Sequence, residues 1–207
     1  MNFESWLIFM AVWFAASIPL GPNALNCISV SATHGFRKSM WSVLGVFIAA
    51  NIHMMVAISG IAAFLNANPV LFDVLRWLGV GYLAWMGVSM LRSKGGFKVK
   101  KNTEQFSRIH SVRRAVLVSM SNPKSFFVWL AVFTQFIDLN TTLWPQLLVL
   151  APSALFITTV VYIGYCGLGL GVNRAFAGKR KMWFDRIAGS TYLAFAFGLA
   201  SADLRRT

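Results

Sequence analysis

The sequence predicts an all-α integral membrane protein: six transmembrane helices in two inverted repeats of three, with helices 1 and 4 broken at proline and glycine. Three observations predict it. Of 207 residues, 57% are hydrophobic and 12% charged, against roughly 25% charged in an average soluble domain, and the mean hydropathy is +0.63. The apolar residues gather into six runs, each able to supply the ~20 residues that cross ~30 Å of hydrocarbon at ~1.5 Å per residue. Two of those runs, about half a chain apart, are interrupted, at Pro19-Leu20-Gly21-Pro22-Asn23 and at Asn122-Pro123-Lys124.

The first run, residues 6–32, is long because it is broken. Proline lacks a backbone donor and clashes with the carbonyl four residues back, so two prolines flanking a glycine open the helix. Freed amides and carbonyls find no water in a bilayer and persist only against protein or a water-filled cavity. A mid-membrane break is therefore a candidate binding site. Glu4 stands where a signal peptide would be basic, and the run is too long for an h-region, so the segment reads as a retained helix.

The second run is 41–65 and the third 69–91, which opens Asn68-Pro69, a cap followed by proline at the first helical position. A basic stretch, 93–114, follows. The fourth run is 115–137, the fifth 145–170 and the sixth 182–202. Pro145 reads as a start signal and Pro152 as a structural kink. Repeat one covers about 5–92 and repeat two about 115–203. Arg76, Gly79, Tyr82, Leu83 and Ala84 of the third run recur in register as Arg186, Gly189, Tyr192, Leu193 and Ala194 of the sixth. Three spans in each repeat make the halves inverted in the membrane, with a break in the first helix of each.

Charge fixes orientation. Most of the 19 basic residues lie in the connections after helices one, three and five, including Arg37, Lys38, Arg92, Lys94, Arg113, Arg114 and Lys179. By the positive-inside rule these connections are cytoplasmic and both termini lie outside; Arg205 and Arg206 vote the other way and are outnumbered. The net charge of +13 thus belongs to membrane topology and excludes a nucleic-acid reading, since no basic soluble face exists. The stretch 93–114, with Phe97, Val99, Phe106 and Ile109 among its basic residues, suits the anionic inner leaflet.

The polar residues placed at depth are few. Asn23 and Asn26 share a face beyond the first break and suit an amino or carboxylate group beside half-helix dipoles, or else cap the broken helix. Asn51 and His53 lie near the middle of helix two. The imidazole, with an ordinary pKa of ~6.5, is a proton-coupling candidate or a structural side chain bonded to backbone. Lys124, about ten residues into helix four and ~15 Å from its end, reads as a counter-charge for a substrate carboxylate or a proton-coupled group; the alternative, snorkelling to the cytoplasmic interface, is a stretch for one lysine stem over that depth. Asp73 with Arg76, and Asp185 with Arg186, are interface anchors. Cys27 and Cys166 are apolar fillers with no CxxC, and no His/Cys spacing suggests a metal or any other cofactor. Gly164, Gly167, Gly169 and Gly171 mark close helix packing, because no strand precedes them to make a dinucleotide loop. Ala194, Gly198 and Ala202 form a small-residue stripe for a helix contact within one protomer or across a homodimer.

Pro19-Leu20-Gly21-Pro22-Asn23, Gly35-Phe36-Arg37, Gly45, Asn51-Ile52-His53, Asn122-Pro123-Lys124, Phe127 and Gln135-Phe136, in that order and spacing, resemble the LysE/RhtB family of amino-acid exporters over nearly the whole chain. The likeness is nearer the RhtB-type homoserine and threonine branch than the lysine and arginine branch. It implies a multi-pass inner-membrane carrier, not an enzyme, exporting amino acids at the expense of the proton gradient. Its motif positions fall on Pro19, Gly21, Pro22, Asn23, Asn51, His53, Asn122, Pro123 and Lys124. Many members carry aspartate where Asn23 or Asn51 stands and proline where Thr134 stands, which leaves His53 the plainest titratable group. No Asp or Glu sits deep in any helix, so a cationic side chain finds no fixed counter-ion and a neutral or small polar amino acid fits better. The competing readings are an exporter of basic amino acids, a membrane-embedded redox protein or enzyme, and a passive channel.

Overall fold

A computed structural model describes residues 3–67, 69–92, 105–138 and 141–171, together with 186, 187, 189, 190, 193, 194, 196 and 197; side chains at 61–73, 75, 76 and 90 are outside the description. Among the described residues there are seven helices and no strand: α1 (Phe3–Ser17), α2 (Pro22–His34), α3 (Phe36–Ala67), α4 (Pro69–Leu91), α5 (Arg108–Met120), α6 (Pro123–Phe136) and α7 (Leu143–Gly169). Phe36–Gly60 and Leu143–Gly169 are each long and apolar enough to cross a membrane alone. The pairs α1/α2 and α5/α6 do so only when joined, and they bend by 65° and 62° at their breaks.

Local chemistry explains the bends. Pro22 and Pro123 each occupy the first turn of the second helix of a pair, where a missing N–H costs nothing. Asn122 caps α6 by accepting the Lys124 backbone N–H at 3.2 Å. Gly35, the one glycine with a positive φ among the described residues (86°), makes the turn from α2 into α3, a conformation that side chains resist. Pro152 lies inside α7 without ending it.

The helices start earlier than the apolar runs suggest. α3 begins at Phe36, five residues before the expected position, and α5 begins at Arg108, capped by Ser107. Residues 108–114, expected as the end of the basic connection, are therefore the first two turns of a broken span. Arg108, His110, Arg113 and Arg114 are exposed there. Residues 93–104 lie outside the described residues, as do Asp185, Gly198 and Ala202 and the side chains of Asp73 and Arg76. Of the sixth expected span only the helical residues named above are described. Gly87 and Gly189 bring α4 and that segment together, since a Cβ on Gly189 would stand 2.8 Å from the Gly87 carbonyl oxygen.

Helices in lipid associate through close packing instead of hydrophobic expulsion, so small residues set the spacing. A Cβ on Gly45 of α3 would stand 2.5 Å from the Val112 carbonyl and 2.7 Å from Ala115 Cβ of α5, and Ser42 bonds Ser111 across the same seam at 2.9 Å. Gly169, alone among Gly164, Gly167, Gly169 and Gly171, makes such an approach, with Ser31 Cβ at 2.6 Å from its would-be Cβ. Gly45→Val is expected to lower stability by ~1–3 kcal/mol through overpacking, read as a lower midpoint of thermal unfolding in detergent. Gly60→Val, whose Cβ meets nothing within 4 Å, should leave the midpoint unchanged.

Candidate functional site

The two breaks meet. Lys124 Nζ, at the start of α6, donates to the Pro19 carbonyl at 2.5 Å, and a Cβ on Gly21 would lie 3.6–3.8 Å from Lys124 and Asn122. Tyr165 of α7 donates its hydroxyl to the Ile18 carbonyl. The carbonyls freed by the first break are thus taken by side chains from two other helices. Asn23 Nδ2 and Asn122 Nδ2 both donate to Ser125 Oγ at 3.2 Å, one from each break.

Around this junction lies a cavity of about 50 Å³. Four helix ends border it: Ala16 and Ser17 at the C-terminus of α1, Asn23 near the N-terminus of α2, Ser119 near the C-terminus of α5, and Lys124 and Ser125 at the N-terminus of α6. Helix N-termini carry partial positive charge and C-termini partial negative charge, each about half an elementary charge. Two ends of each sign on one small space, with a lysine beside them, complement a solute bearing both an ammonium and a carboxylate. The remaining walls are His53, Val46 and Ala50 from α3, Trp13, Val128 and Trp129, and Thr158 and Tyr162 from α7.

Several polar atoms here have no hydrogen-bond partner among the described residues: Asn23 Oδ1, both amide atoms of Asn26 and Ser119 Oγ. Buried groups of this kind cost ~1–3 kcal/mol each; Asn23 and Ser119 line the cavity, and Asn26 lies outside its lining. At ~10–15 Å³ for a water probe, the cavity accommodates a few waters. Loading an amino acid requires the surrounding helices to part.

One side of the cavity is roofed by aromatic rings. Trp13 and Trp129 lie edge to face at 4.5 Å, and Phe133 joins both at 5.6 and 5.2 Å. Phe9 and Phe136 extend the cluster, and Trp13 Nε1 donates to Thr158 Oγ1 at 3.0 Å. These rings belong to α1 and α6. Neither α2 nor α5 contains Phe, Tyr or Trp.

The residues singled out from sequence are distributed as follows. Asn23, His53 and Lys124 line the cavity, while Pro19, Gly21 and Asn122 frame it. Pro22 and Pro123 are exposed helix starts. Asn26 is buried one turn beyond Asn23. Asn51 is not among the cavity-lining residues; its amide donates to the Phe47 carbonyl of its own helix at 2.8 Å. Sequence reasoning missed Ser119, Ser125, Tyr162, Tyr165 and the two tryptophans. The first two were signalled by the polar string Ser119–Ser125 inside an apolar run. Cys27 and Cys166, expected as apolar fillers, are buried free thiols outside the lining of the cavity, and Cys166 Sγ donates to the Ser39 carbonyl at 3.9 Å. No group of three or more His, Cys, Asp or Glu suited to a metal occurs among the described residues.

Comparison with known proteins bears on this arrangement. The chain is similar to the homoserine/homoserine lactone efflux protein of Salmonella typhimurium, 28% identical over 98% of each chain. It is similar to the leucine efflux protein of Enterobacter sp., 30% identical over 97% of this chain and 96% of that one. A membrane protein of Vibrio cholerae is 29% identical over 98% of this chain and 99% of its own. No solved structure matches the chain. The family model for LysE type translocators matches residues 14–203, a stretch holding both breaks and every cavity-lining residue but Trp13, and the chain belongs to that family of membrane proteins.

Proposed function

We propose that the chain is a secondary carrier of the inner membrane that exports amino acids or close derivatives from the cytoplasm, driven by the proton gradient. The observation that carries this reading is the meeting of two helix N-termini and two C-termini with Lys124 around one buried cavity. In this arrangement the lysine and the α2 and α6 N-termini receive the carboxylate, and Asn23 Oδ1, Ser119 Oγ and the C-terminal carbonyls receive the ammonium. Val46, Ala50, Val128 and Trp129 offer an apolar wall to the side chain. No acidic residue lines the cavity, which favours a neutral solute of the homoserine, threonine or branched-chain kind over a basic one. His53 is the candidate for proton coupling.

The described basic residues support an orientation with both termini outside. Arg37, Lys38, Arg108, Arg113 and Arg114 gather where α3 and α5 begin; Lys38 lies over the Phe106 ring at 5.2 Å and Arg108 over Trp41 at 5.4 Å, an interfacial belt. The recurrence of one bend in α1/α2 and α5/α6 supports two inverted repeats rocking about the cavity.

The test is a comparison of amino-acid profiles inside and outside cells with and without the protein. Neutral amino acids should accumulate outside only in cells that have it and only while a proton gradient is maintained. Faster uptake by right-side-out cells than by inverted vesicles, under an imposed proton gradient, would reverse the stated direction.

A further inference from the structure

We infer that the solute enters along the seam between α2 and α5, from a basic vestibule at their outer ends, and that the Asn26 amide is the hydrogen-bonding step midway. This rests on the carrier reading for the nature of the solute, though not for the route. A second cavity, of about 30 Å³, lies at the basic end of the molecule; His34, His110 and Arg114 line it together with Val30, Phe106 and Ser111. It is joined to the central cavity by one stripe of α2. Asn23 borders the central cavity, and Val30 and His34 border the vestibule. Residue 26, three positions from 23 and four from 30, lies between them on the same side of the helix.

That intervening residue is the anomaly. Asn26 is 7% exposed, and neither its oxygen nor its nitrogen has a hydrogen-bond partner among the described residues. A leucine would be the cheaper occupant of a buried position in a membrane helix. Along the opposing helix the corresponding positions are Ser111, at the vestibule, and Ser119, whose hydroxyl is also unpartnered at the central cavity. Two cavities with unsatisfied donors and acceptors between them describe a closed path for a polar solute. Neither α2 nor α5 carries Phe, Tyr or Trp, so apart from the imidazoles at the mouth neither helix puts a ring into the seam. At the mouth, Arg114 and two imidazoles select for a carboxylate-bearing solute and present it carboxylate first toward Lys124.

The route is tested without knowing the solute. Asn26→Cys, in a background with Cys27 and Cys166 replaced by alanine, is treated with a membrane-impermeant, negatively charged methanethiosulfonate. Modification at least tenfold faster in inverted vesicles than in right-side-out cells is expected. Modification only from outside, or from neither side, overturns the proposal. Asn26→Leu supplies a second arm: export should fall at least tenfold while the midpoint of thermal unfolding holds or rises. Unchanged export, or a loss of export matched by a loss of stability, overturns it. If Asn26→Cys is modified from inside yet the unsubstituted protein exports no amino acid, the route stands and the export reading falls.

Discussion

Lys124→Met is expected to abolish export while leaving the protein folded in the membrane. Hydrogen bonds made by charged groups contribute ~1.5–3 kcal/mol, so losing the carboxylate contact alone lowers transport by roughly 10- to 100-fold. The fold should respond far less. A cation held deep in a bilayer costs ~2.5–3.5 kcal/mol on insertion scales. Methionine removes that cost, at the expense of leaving the Pro19 carbonyl without the bond it now accepts at 2.5 Å. The two changes are of similar size, so the midpoint of thermal unfolding should shift little. Flux assays in proteoliposomes beside unfolding curves in detergent separate the effects. Normal transport by the variant would remove Lys124 from the site.

Trp129→Ala carries the second large effect. Its side chain is 4% exposed and touches Trp13 of α1 across the helix junction and Phe133 one turn on in its own helix. Truncating a buried aromatic of this size costs ~3–5 kcal/mol, so the unfolding midpoint should drop clearly. The same change removes half of the roof over the cavity. Solute preloaded in proteoliposomes should then leak down its gradient with no proton gradient imposed, and Trp129→Phe should retain both stability and tightness. A variant that is destabilised but still tight would show that the ring cluster only holds the helices together.

The parts of this arrangement that were readable in the sequence are those written in local chemistry. Two prolines flanking Gly21, and a capping asparagine directly before Pro123, are combinations that open a helix where a lone Pro152 does not, so both interruptions could be located from sequence alone. Lys124 was conspicuous because apolar runs rarely hold a cation. The start of α5 was not readable from hydropathy, because Arg113 and Arg114 interrupt the apolar pattern although the helix passes through them. Asn51 and His53 illustrate a rule that could have been applied earlier. Residues two apart on a helix point in nearly opposite directions, so only one of them could face a given cavity, and His53 is the one that does. Tyr162, Tyr165 and the bond from the Ser31 hydroxyl to the Cys166 carbonyl depend on how α7 packs on the first broken pair. Such contacts span well over a hundred positions of chain and leave no periodic trace.

Ser125 has a consequence that follows from counting its lone pairs. A hydroxyl oxygen has two, and here Asn23 and Asn122 each point an amide N–H at it. With its accepting capacity committed to one asparagine from each broken span, the hydroxyl can only give its proton away. Ser125 is therefore a fixed donor on the cavity wall whose direction is set jointly by both halves of the protein. Any sliding of one half against the other redirects that proton, so a single O–H bond reports on the relative position of the two halves.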